Sequence, residues 1–153
     1  MSLAADAEEP GRAPVPQGRY RAAVVAADFV FTAGVTPRRD GVLVETGVVG
    51  DDISIERARE LVALATHGAV KAARAALAQA EPARRLARCA RAVVLLRTSP
   101  DFTEHAWVAD AATAVVAEEL RDEAVGARTA YGVASLPGGA PCEVELTFEH
   151  GPA

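Results

Sequence analysis

The chain has 153 residues, half of them hydrophobic and 24% charged, with 21 acidic against 16 basic residues and a net charge of −5. That length suits one compact domain able to bury a core without disulfides or metal. The acidic balance argues against a nucleic-acid-binding surface, and no apolar run approaches the roughly 18–20 residues of a membrane-spanning helix.

All the basic residues except Lys71 are arginine, and alanine is abundant. Both features fit the coding bias of a GC-rich genome, so arginine number says little about function. Residues 1–17 carry Pro10, Pro14 and Pro16 and read as a flexible tail, leaving a single domain over 18–150. The tail lacks the basic start and apolar stretch of a secretory signal, which points to a cytoplasmic protein.

After Gly18, YRAAVVAA (20–27) and FVFTAGV (29–35) read as two short strands turning at Asp28. GVLVETGVVG (41–50) is a third strand candidate. From Ser54 to Gln79 the period changes to that of a helix. Ile55, Ala58, Val62, Ala65, Ala69, Ala72 and Ala76 form its inner stripe, and Ser54 is placed to cap it. RRLARCAR (84–91) reads as a solvated loop and strand entrance without aromatics for base stacking. ARAVVLLRTS (90–99) has the two-sided apolar character of a central strand.

Asp101 and Glu104 have capping-box spacing before a second helix. Its stripe runs through Trp107, Val108, Ala111, Ala112, Val115, Val116 and Leu120. The end of the chain, GARTAYGVASLPGGAPCEVELTFEH (126–150), reads as a hairpin around Pro137-Gly138-Gly139. Arg128 stands at its entrance and Glu143 just past the turn. The element order is therefore β-β-β-α-β-α-β-β, an α+β arrangement with two helices packed on one face of a mixed sheet. The uncovered sheet face is expected to bury itself by self-association.

Few residue patterns carry chemistry by themselves. Cys89 and Cys142 lie in apolar runs and read as buried small hydrophobes. His67, His105 and His150 share no metal-ligand spacing and read as scattered exposed residues, so no metal is expected. Ser135 lacks a nucleophile-elbow context, and Gly138-Gly139 is a turn rather than a phosphate loop. By spacing alone, Arg128 is a surface connector residue. Glu143 belongs to a solvent-facing alternation with Glu145, Thr147 and Glu149. Tyr20 fits a packing role at a strand edge as well as a functional one.

Taken in order, several local motifs resemble the Rid family of reactive intermediate deaminases, also called YjgF-like or L-PSP-type proteins. They are Gly18-x-Tyr20, the Thr32-Ala33-Gly34 turn with Pro37, and Ser99-Pro100-Asp101-Phe102. The strongest are Gly126-Ala127-Arg128, Val133-Ala134-Ser135-Leu136-Pro137 and Glu143-Val144-Glu145. The resemblance covers Gly18 to Glu149 and implies a chorismate-mutase-like fold assembled as a homotrimer. The sheets would form a barrel with clefts between subunits.

It also implies hydrolysis of enamines and imines such as 2-aminoacrylate to a 2-keto acid and ammonia, without a cofactor. Arg128 falls on the family's substrate-carboxylate arginine and Glu143 on its acidic residue. Tyr20 falls on its tyrosine, and Ala33, Gly34 and Val35 on its pocket-lining turn. The partners implied are a small carboxylate-bearing substrate and further copies of the chain, with no nucleic acid or membrane.

The chain departs from the family at Ala33 and Val35, where the usual serine and glutamine are replaced. It departs again near Asp110, where an asparagine is common, and at Ala130, often a cysteine. These changes place it in a divergent branch and make its pocket less polar. Two other function classes remain open: a non-catalytic module that binds small metabolites in the inter-subunit cleft, and an endoribonuclease.

Overall fold

The computed structural model describes residues 13–153. Strands β1 (Ala23–Ala26) and β2 (Phe29–Thr32) form a hairpin, and a two-residue ribbon of β3 (Arg38–Arg39) and β4 (Val42–Leu43) follows. Then come α1 (Ile55–Ala80), β5 (Arg84–Arg97), α2 (His105–Glu119), β6 (Ala127–Val133) and β7 (Cys142–Pro152). The main sheet has the order β1-β2-β7-β5-β6. Only the β5–β6 pair is parallel; the other pairs are antiparallel.

The chain moves from β2 to β5 through α1 and from β5 to β6 through α2, advancing in one direction across the sheet. Right-handed crossovers in one direction put both helices on one face. Alanines make the close approach possible. Ala58, Val62, Ala65, Ala69 and Ala72 of α1 are buried as the periodicity predicts, together with Leu61, Val70 and Leu77. Ser54 Oγ accepts the Arg57 N–H at 3.1 Å and caps the helix. Facing these helices from the sheet are Val30, Ala92, Val94, Leu96, Val144, Leu146 and Phe148, all buried.

Sequence expectations for several elements need correction. The stretch 41–50 adds no strand to the main sheet: it supplies β4 to the ribbon, and Val49 makes isolated bridges to Ile53 and Thr98. RRLARCAR is not a loop but the first half of a 14-residue β5. Two register irregularities kink it there, and Arg88 pairs with Glu149 at 2.6 Å. The Asp101–Glu104 capping box does not form; Glu104 itself is the N-cap, without a side-chain bond. Trp107 is 55% exposed, its ring covered by the Arg59 guanidinium 4.1 Å away rather than by the core. His150 is not an exposed tail residue: it lies buried in β7, its Nε2 2.9 Å from the Ala27 carbonyl oxygen.

The expected tail divides in two. Residues 1–12 lie outside the described residues, whereas Pro14 to Gln17 fold against the domain. No helix among the described residues is long and apolar enough to cross a membrane.

Phe148 is fully buried in the middle of the sheet, where removing its ring leaves a void that rigid neighbours cannot fill. Phe148→Ala is expected to lower unfolding free energy by about 3–5 kcal/mol in urea titrations.

Candidate functional site

The end of β2 is where the sheet makes room for a site. Phe31 pairs with Thr147, and the next bridge joins Val35 to Val144. Thr32, Ala33 and Gly34 therefore stand opposite only Glu145 and Leu146, and the chain bulges. Thr32 Oγ1 accepts the Leu146 N–H at 2.9 Å, while Val35 and Val144 exchange two backbone hydrogen bonds of 2.9 Å. Those bonds hold Gly34 against the side chain of Glu143. A Cβ at Gly34 would come within 1.8 Å of Glu143 Oε1. The glycine is needed for clearance.

Beside this contact is a cavity of about 370 Å³, lined chiefly by Tyr20, Ala33, Val35, Arg38, Pro137 and Glu143, with Pro14 to Gln17 along one side. It is within the usual size range of small-ligand sites. The Tyr20 ring rests on Gly18, and its hydroxyl oxygen accepts the Gln17 N–H at 3.2 Å. Glu143 is partly buried, and no described residue donates a hydrogen bond to its carboxyl group. Burial, with a smaller contribution from the Glu145 charge, raises its pKa above the ordinary carboxylate range. A partly buried acid with a raised pKa in a cavity is a candidate for proton transfer.

The sequence-predicted site residues do not all meet. Tyr20, Ala33, Gly34, Val35 and Glu143 converge on the cavity. Arg128 does not join them within one chain, because the expected hairpin is absent: β5 lies between β6 and β7. Arg128 pairs with Ala92 and Glu143 with Leu95, positions of opposite parity on β5 and hence on opposite faces of the sheet. The alternation that made Glu143 look like an ordinary strand residue is real. Arg128 instead donates from NH1 to Asp110 Oδ1 on α2 at 2.5 Å.

Residues missed by sequence reasoning are Arg38, Gln17 and Pro137, all at the cavity wall. Arg38 follows the Thr32-to-Pro37 segment directly, and only its adjacency to that segment pointed to it. Among the described residues no three His, Cys, Asp or Glu side chains cluster as metal ligands would. Both thiols are buried, and burial pushes Cys89 up to about 11 and Cys142 further still. Neither thiol is an activated nucleophile.

No family model matches the chain. Protein TCP17 of Trypanosoma cruzi is 30% identical over 139 residues, spanning 90% of this chain and 84% of that protein. Atu1372 of Agrobacterium tumefaciens, whose crystal structure is described as of unknown function, superposes with a TM-score of 0.78 at 25% identity. That match covers 86% of this chain and 81% of the other. The fold is shared with Escherichia coli TdcF, solved with bound serine, at TM-score 0.64, 20% identity and coverage of 92% and 95%. It is shared also with the E. coli YjgF gene product at 0.59, 22% identity and coverage of 90% and 92%.

The chain has the fold of the YjgF/Rid family.

Within that family's fold, the Glu143–Gly34 contact gives two expectations. Gly34→Ala displaces the flexible end of Glu143 rather than backbone. It should leave the protein folded by circular dichroism while lowering any activity of the site about 100-fold, since misplacement by about 1 Å is enough for that. Glu143→Gln bears on stability. Because the folded-state pKa is raised, burial disfavours the ionised group, so stability falls as pH rises through that pKa. The Gln variant is expected to melt higher than wild type at pH 8, with the gap closing below about pH 4, near the unperturbed glutamate pKa.

Proposed function

We propose that the protein is an enamine/imine deaminase that hydrolyses small 2-imino carboxylic acids to 2-keto acids and ammonia in the cytoplasm. The observation that carries this reading is the partly buried Glu143 carboxyl, raised in pKa and without a hydrogen-bond donor among the described residues, at the wall of a largely apolar cavity. An imine carbon is already electrophilic. What it needs is a positioned water, a place for the carboxylate and a carrier for protons.

In this mechanism the enamine first takes a proton at carbon, gives one up from nitrogen and so becomes the neutral imine. Ionised Glu143 accepts a proton from water as the new C–O bond forms, then returns it to nitrogen, leaving a carbinolamine. A second transfer moves the hydroxyl proton to nitrogen. The C–N bond breaks, ammonia leaves, and the C=O bond of the keto acid is complete. Glu143 ends as it began. Proton transfer of this kind contributes roughly 10²–10⁴-fold.

Arg128 is assigned to the substrate carboxylate, which its planar guanidinium suits. It stands on β6, the edge strand of the sheet, and reaches a Glu143 cavity only if that cavity belongs to a neighbouring copy. Self-association as a homotrimer is therefore part of the proposal. Large apolar side chains on the helix-free face support it: Val24, Phe29, Phe31 and Tyr131 are all exposed. To take a substrate, Arg128 must share or release Asp110. Tyr20 closes the cavity from one side.

A second reading, a binding module without turnover, is favoured by the apolar Ala33 and Val35 at the cavity wall. One experiment separates the two: generate 2-aminoacrylate in situ with a pyridoxal-phosphate lyase and follow pyruvate. Wild type should exceed the spontaneous rate, and Glu143→Gln should lose at least 100-fold of that acceleration. The base must be ionised, so kcat/KM should climb with pH through an acidic limb above the ordinary glutamate value of about 4.3. Carboxylate binding without acceleration would establish the module instead. Equal acceleration by wild type and Arg128→Ala would remove the proposed site.

A further inference from the structure

Arg38 is the one cationic side chain lining the cavity among the described residues. It is presented by the β3–β4 ribbon, whose two turn residues, Asp40 and Gly41, both have positive φ (51° and 73°). That is the tight hairpin turn an Asp-Gly pair favours. Arg38 Nε donates to Thr36 Oγ1 at 3.0 Å and NH1 donates to the Gly41 carbonyl at 2.8 Å. Both acceptors are neutral, and among the described residues no carboxylate pairs with the guanidinium. The NH2 group and the second NH1 hydrogen remain for a ligand. Arg128 is different: Asp110 already answers its charge.

A pre-positioned guanidinium without an acidic partner, set among apolar side chains, is a site for an anion, because its charge-assisted bonds to a carboxylate are short and strong. Under the reading above, the 2-carboxylate of the substrate belongs to Arg128, so the anion at Arg38 is another group. We propose that Arg38 binds a second carboxylate, at the far end of the substrate, and that the preferred substrates are imines of dicarboxylic amino acids. This assignment rests on the imine-hydrolase reading. Ala33, Val35 and Pro137, the apolar side chains that line the cavity with Arg38, suit a short methylene spacer. The same lining disfavours a substrate ending in a neutral group, which would leave Arg38 desolvated and unpaired. Glu143 is the one acid lining the cavity, and burial already shifts it towards its neutral form.

The test uses imines made in situ by amino-acid oxidases from glutamate and from 2-aminobutyrate, with the full-length protein. Wild type should show a kcat/KM at least tenfold higher for the glutamate-derived imine. Arg38→Met should bring that ratio close to one, and Arg38→Lys should restore part of it. Arg39→Met, on the same ribbon but not at the cavity wall, should keep the wild-type ratio and so rule out simple damage to the ribbon. Equal kcat/KM for both imines in wild type, or a preference that survives Arg38→Met, would overturn the proposal.

Calorimetry with glutarate and butyrate reads the same preference without turnover. If no imine is hydrolysed above background, the hydrolase reading fails, and calorimetry decides the role of Arg38 alone. At least tenfold tighter glutarate binding, lost in Arg38→Met, supports that role. Equal binding of the two acids, or a glutarate preference unchanged by the substitution, overturns it.

Discussion

The contact between the Glu143 carboxyl group and the bare backbone of Gly34 is the constraint around which the site is arranged. One added methyl at position 34 would occupy the space of the carboxylate oxygen. The contact exists because β2 bulges at Thr32–Gly34 and then rejoins β7 through Val35 and Val144. The bulge holds because Val30, Val144 and Phe148 anchor both strands in the core on either side of it. A side chain whose charge is disfavoured by burial is thus kept in place by apolar packing elsewhere. Functional sites commonly carry such local conflict, offset by the rest of the fold.

Charge placement follows from sheet order. β5 enters between β6 and β7, which puts the arginine of one strand and the glutamate of the other on opposite faces. Asp110 on α2 engages Arg128 on the helix side. On the other side of the sheet, the acid meets the cavity that also contains Arg38. A single chain therefore keeps Arg128 and Glu143 apart. A residue outside the family motifs supplies the nearby cation.

Ala33 and Val35 keep the cavity wall around Arg38 apolar. With less polar lining there are fewer competing hydrogen bonds, and each remaining charged group has greater weight in choosing a ligand. The cavity wall is also completed by Pro14 to Gln17, a segment that by composition resembles linker more than binding surface.

Much of the fold was legible in the amino-acid sequence because periodicity reflects burial directly. The alanine stripe of α1, its Ser54 cap, the apolar run of β5 and the alternation of β7 each depend on residues close together in the chain. Tyr20, the Ala33–Val35 turn and Glu143 were legible as a set only through ordered motifs. Strand pairing was not local. Nothing in 126–150 distinguishes a hairpin from two strands that flank a third, since both bury the same residues. The insertion of β5 is decided by the α2 crossover, which brings β6 back parallel to it. RRLARCAR likewise becomes strand only because β7 pairs with it. Local patterning determined the elements and which side chains they bury. Tertiary pairing decided which charges meet, because hydrogen-bonded neighbours in a sheet are chosen by crossover direction and packing rather than by nearness in the chain.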